Sequence, residues 1–149
     1  MDSQTFFAFS FESGGLRFIS PRHAYPLCMQ GAVMVDLRPD WEGAFKRPDV
    51  PKLLLLPYTE MDQSIGFLPQ NRFLILGDCV GLRSKEVMIK LIQLGFTNVV
   101  SLAGGFVDWE RDGFPILVDM QERLTGSCMC QLKPRDAKKQ PRTDKDAIR

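Results

Sequence analysis

The residues best suited to chemistry stand together in one short stretch, Asp78-Cys79-Val80-Gly81-Leu82-Arg83-Ser84. It offers a carboxylate, a thiol and a guanidinium within six positions. An apolar run, Phe73–Leu76, leads into it, and a helix-forming segment opens at Ser84. A strand that turns through a glycine into a helix can point several backbone N–H groups at one spot, and the positive end of the helix adds to them. Such a cradle stabilises a thiolate, a persulfide or an oxyanion. The carboxylate of Asp78 beside Cys79 works against thiolate formation there, because a neighbouring negative charge raises a thiol's pKa.

Three further sets of residues merit the same question. Cys128-Met129-Cys130 is a C-x-C pair that could relay sulfur or exchange disulfides, with Cys79 as a partner. A structural zinc site asks for four ligands, and no spacing brings Cys28, Cys79 and the single His23 to that pair, so no metal is expected. Asp36 and Arg38 lie at i, i+2, on one face of a strand. Cys28, in an apolar stretch, reads as a small buried hydrophobe.

The elements that must position these groups alternate between strand and helix. Strands are expected at Leu16–Ile19, Ala32–Leu37, Leu53–Leu56, Phe73–Leu76 and Asn98–Leu102. Between them lie helices at Pro21–Met29, with Ser20 before it and Gly31 after it, at Pro39–Phe45, and at Ser84–Leu94, with Gly95 following; Gly104–Arg111 is the last. Strands that are unbroken apolar runs, separated by helices, imply a largely parallel sheet covered on both faces. Ligands of such sheets sit beyond the carboxyl ends of the strands, where the 78–84 loop lies. Trp41 and Trp109 read as packing residues. Phe6, Phe7, Phe9 and Phe11 read as a strand-like stretch packing on the domain.

The chain's 149 residues, 44% hydrophobic and 25% charged, fit one soluble domain with an excess of chain. A net charge of +1 supplies no global field for nucleic acid or an anionic substrate. The charge is uneven: residues 133–149 hold seven Lys/Arg and three Asp and almost no large apolar side chain. That segment is expected to be a disordered basic tail, with at most a weak nucleic-acid contact. The longest apolar run, Leu53–Leu56, is too short to cross a membrane, and Asp2 and Glu12 argue against a secretory signal, so a cytoplasmic protein without membrane partners is expected.

From Leu16 to Val118 the order of motifs resembles the rhodanese (sulfurtransferase) family. The matching pieces are Ile19-Ser20-Pro21, VMVDLRP with Asp36 and Arg38, Trp41-Glu42, Val50-Pro51 before LLLLPY, LPQNRFLIL, Gly81 with Arg83 and Ser84, LGFTNVVSLAGGFVDW, and DGFPI. The resemblance implies a five-stranded parallel sheet with helices on both faces. It divides the chain into an N-terminal extension (1–15), a rhodanese-like domain (16–118) and a C-terminal extension (119–149) holding the C-x-C pair and the basic tail.

The family's active loop typically runs Cys-x-x-Gly-x-Arg-Ser/Thr. With Gly81, Arg83 and Ser84 in register, the nucleophile position is residue 78, which here is Asp78, and Cys79 stands where many active members have Arg. A carboxylate cannot accept a sulfane sulfur to form a persulfide. Held by several backbone N–H groups, Asp78 is expected to be ionised with a lowered pKa and to repel a second anion. A phospho-aspartate role finds no metal site or general acid to support it. The resemblance carries over the loop Asp78–Ser84 as an anion cradle without its nucleophile, and the expectation is a non-catalytic module that binds a protein or a small anion, with no cofactor. The alternative is an unconventional sulfurtransferase or persulfide carrier using Cys79, with or without Cys128 and Cys130.

Overall fold

The structure is a computed structural model that describes residues 1–43 and 45–119. Its elements, in chain order, are α1 (Ser3–Phe7), β1 (Phe11–Ser13), β2 (Leu16–Ile19), α2 (Pro21–Met29), β3 (Val33–Asp36), α3 (Asp40–Gly43), β4 (Lys46–Pro48), β5 (Leu53–Leu55), α4 (Met61–Ser64), β6 (Leu74–Gly77), α5 (Leu82–Gln93), β7 (Val99–Leu102), α6 (Gly105–Arg111) and β8 (Ile116–Val118). Single 3-10 turns, Tyr58–Glu60 and Ile65–Phe67, flank α4. The C-x-C pair and the basic tail lie outside the described residues.

The main sheet has the order β1-β2-β7-β6-β3-β5. Every pairing from β2 to β5 is parallel, as the apolar runs require. The sheet nevertheless holds six strands, because β1 adds an antiparallel edge, with Phe11 opposite Phe18. A separate ribbon pairs β4 with β8. The central strands β3, β6 and β7 are buried at all four positions, so both faces must be covered by apolar side chains.

Alternate residues of each strand enter two cores. Val33, Val35, Leu74, Leu76 and Val99 pack against Val87, Met88 and Leu91 of α5. Met34, Ile75, Val100 and Leu102 pack on the other face against α1, α2 and α6 through Phe6, Ala24, Leu27, Phe106 and Trp109. Cys28 belongs to this second core, where burial pushes its thiol up to about 12 and keeps it protonated. The indole N–H of Trp109 donates to the carbonyl of Pro115 at 2.8 Å, which holds the segment that follows α6 against that helix. Trp41, by contrast, is half-exposed on α3 and contributes little to either core.

The first residues differ from the strand-like expectation. Asp2 caps a helical turn by accepting from the Thr5 N–H at 2.8 Å, so Phe6 and Phe7 stand on a helix rather than a strand. Phe6 is fully buried, with its ring 4.7 Å from that of Phe73. Phe9 stays exposed and stacks on His23 at 4.5 Å.

Candidate functional site

The carboxyl end of β6 delivers Gly77 and Asp78 beneath the first turn of α5. Gly77 is needed for packing: a Cβ there would stand 2.5 Å from the Phe106 ring. Gly81 adopts φ +94° as the residue before α5, a conformation that favours glycine, and helical geometry therefore starts at Leu82, two residues earlier than the sequence pattern suggests. This turn wraps the backbone around the side chain of Asp78.

The carboxylate of Asp78 fills the centre of the loop. One oxygen accepts from the Gly81 N–H; the other accepts from the N–H groups of Arg83 at 2.6 Å and Ser84 at 3.3 Å. Asp78 is only 3% exposed, so its charge has little help from water. The expected lowering of its pKa is therefore a correction to make: burial pushes the Asp78 carboxyl above its ordinary value, and the three N–H bonds offset that only in part. The sequence identifies the donors but not the depth of burial, which decides the direction.

A second backbone layer clamps the loop from outside. The N–H groups of Phe106 and Val107 donate to the carbonyls of Asp78 and Cys79 at 2.8 and 3.0 Å. The Gly104-Gly105 pair allows this approach. Both have positive φ, and a Cβ on Gly105 would meet the Asp78 and Cys79 carbonyl oxygens at 2.5 and 2.6 Å. Beneath the loop, the buried hydroxyls of Ser84 and Ser101 bond to each other at 2.7 Å, and Ser84 also donates to the Gly81 carbonyl at 3.1 Å. Ser101 was missed as a supporting residue; its one signal was a hydroxyl inside the apolar run VVSL.

The remaining loop residues face outward. Cys79 is half-buried, and Val80, Leu82 and Arg83 are exposed. The Arg83 guanidinium lies 4.2 Å above the ring of Tyr58. Among the described residues it forms no ion pair with a carboxylate. Tyr58 also escaped the sequence reading, because nothing in the spacing of the 3-10 turn relates it to α5.

Asp36 and Arg38 are buried together as a bidentate pair, with Nε–Oδ1 at 3.0 Å and Nη2–Oδ2 at 2.9 Å. Arg38 Nη2 also donates to the Lys46 carbonyl at 2.7 Å, and its guanidinium covers the Phe106 ring at 4.5 Å. The pair thus ties β3 to β4 and to the clamp helix α6, away from the Asp78 carboxylate. His23 contacts Ser20 Oγ at 3.1 Å on α2 and takes no part in the loop. Cys28 stands in the opposite core, so it is not brought to Cys79. Among the described residues no three His, Cys, Asp or Glu side chains form a group able to hold a metal ion, and no helix is long and apolar enough to cross a membrane.

No family model matches the chain. The thiosulfate sulfurtransferase GlpE of Actinobacillus pleuropneumoniae serotype 7 is 31% identical over 100 residues, which is 66% of this chain and 90% of that protein. GlpE of Haemophilus influenzae is 29% identical over 99 residues, 66% of this chain and 91% of the relative. Among solved structures, a rhodanese-related protein from Thermoplasma volcanium superimposes with a TM-score of 0.61 at 23% identity, covering 68% of this chain and 97% of its own.

Proposed function

The chain belongs to the rhodanese-like sulfurtransferase family, and within it we propose that this member does not transfer sulfur through its loop and instead works as a regulatory module that binds a protein or a small anion. One observation carries the proposal: the loop's inward N–H groups are already taken by the Asp78 carboxylate.

In a sulfurtransferase loop of this type, a thiolate attacks the sulfane sulfur of thiosulfate. The S–S bond breaks, sulfite leaves with the electron pair, and a persulfide remains. Cyanide then takes the outer sulfur as thiocyanate and the thiolate returns. Asp78 supplies no sulfur atom for the first step, and its buried charge opposes the approach of a second anion to the same donors. Residue 78 is the nucleophile position by the register of Gly81, Arg83 and Ser84. Cys79 points from the next backbone position and cannot take over the cradle without displacing Gly81 from the turn. The domain spans 16–118 in this reading, with 1–15 and 119–149 as extensions.

Mass mapping of the reduced chain after exposure to thiosulfate, and separately to a small-molecule persulfide, tests this. The expected result is no sulfur added at any residue. Sulfur retained on Cys79, Cys128 or Cys130 would replace the proposal with the alternative of an unconventional carrier.

A further inference from the structure

Helix α5 packs on β7, β6 and the inner strand β2 but leaves the antiparallel edge strand β1, whose three residues are all exposed, without helical cover. A pocket of about 250 Å³ lies between that edge and the first turn of α5. Its floor is Phe11 and Phe18, stacked with ring centroids 5.8 Å apart. Val80 and Leu82 form the apolar wall on the loop side, and the backbone of Ala103-Gly104 closes the end. Among the described residues Lys85 is the one charged residue lining it. Its ammonium stands 5.7 Å from the Phe18 ring centroid, and among the described residues it forms no ion pair.

We propose that this pocket is a binding site for a small organic anion that joins an apolar ring to a single carboxylate or sulfonate. The ring would lie against Phe11 and Phe18, and the acid group would meet Lys85. The volume lies just below the ~300–1,000 Å³ of drug-sized ligand pockets and fits a single ring rather than a nucleotide. An ammonium over the Phe18 ring at an apolar cleft, with no carboxylate partner among the described residues, favours this amphiphile over an inorganic oxyanion, which would leave the apolar floor unused. The proposal deepens the reading above and rests on it in one respect: with Asp78 holding the loop's N–H groups, an anion is accommodated beside the loop rather than in it.

Titration of the full, isotope-labelled chain with benzoate, followed by amide chemical shifts, tests the site. Saturable shifts are expected to centre on Phe11, Phe18 and the Val80–Lys85 turn. Lys85→Gln and the exposed-ring variant Phe11→Ser should each weaken binding, Lys85→Gln about tenfold, which corresponds to about 1.4 kcal/mol. The neutral analogue benzyl alcohol should lose a comparable factor against the unsubstituted protein. Absence of saturation, shifts centred elsewhere, or equal affinity in Lys85→Gln would each overturn the site. The sulfur-mapping result reads the parent proposal separately. A chain that binds benzoate and also carries persulfide keeps the pocket and loses the non-catalytic reading; a sulfur-inert chain blind to benzoate keeps that reading and loses the pocket.

Discussion

Asp78 is the residue around which the turn from β6 into α5 is wound. Its carboxylate gives the Gly81, Arg83 and Ser84 N–H groups an acceptor, so the turn has a partner for its inward dipoles. The cost is a buried charge, and burial outweighs the hydrogen bonds in setting the pKa direction. A folded pKa raised above the unfolded one means the folded chain binds a proton more tightly. Stability through this group is therefore fully present below the ordinary value of 3.8 and declines as pH rises through the folded pKa. Asp78→Asn, which cannot titrate, removes that dependence. The stability of the unsubstituted chain minus that of Asp78→Asn should fall as pH is raised from below 3.8 towards neutrality, measured by denaturant unfolding at each pH. A difference that grows with pH would show that the hydrogen bonds prevail. The donors were legible in the sequence from the strand–Gly–helix pattern. The pKa direction was not, because burial comes from packing of α6 and β7 around the loop, which no local pattern encodes.

At the scale of elements, the Gly104-Gly105 step is the joint that locks α6 to the loop. Only a residue without a Cβ can bring the Phe106 and Val107 N–H groups onto the Asp78 and Cys79 carbonyls, and φ +66° at Gly105 adds its own penalty for any other residue. Gly105→Ala is expected to cost about 2 kcal/mol or more in chemical denaturation, since both the backbone strain and the close contact oppose it. A loss below about 0.5 kcal/mol, the size of an ordinary surface change, would refute the joint. The parallel strands were readable because each is an unbroken apolar run bounded by a helix signal. The shorter pieces were not. β4 and β8 have three residues each, with Lys46 and Arg47 in the first, and pair residues 68 to 72 positions apart in the chain. The length of α5 was nearly right, and its start moved only because Gly81, rather than Ser84, ends the turn.

Across the whole molecule, the residues before Leu16 are built into the sheet and into the second core. Phe6 is fully buried against Phe73, and β1 widens the sheet beyond its helical cover. Phe6→Ala should cost about 3–5 kcal/mol, the range for truncating a buried aromatic, and lower the thermal midpoint accordingly. An unchanged midpoint would mean that α1 does not dock. The aromatic spacing suggested packing but gave the wrong element for Phe6 and Phe7, because the Asp2 cap outweighs the strand propensity of phenylalanine. In the proposed reading the cradle is complete and Asp78 alone silences it. The most direct measurement is the rate of sulfur transfer from thiosulfate to cyanide by Asp78→Cys beside the unsubstituted chain. No transfer above the uncatalysed rate is expected for the unsubstituted chain, and saturable transfer, with sulfur mapped to position 78, for the variant. Transfer by the unsubstituted chain would contradict that reading, as would a folded Asp78→Cys that never takes up sulfur.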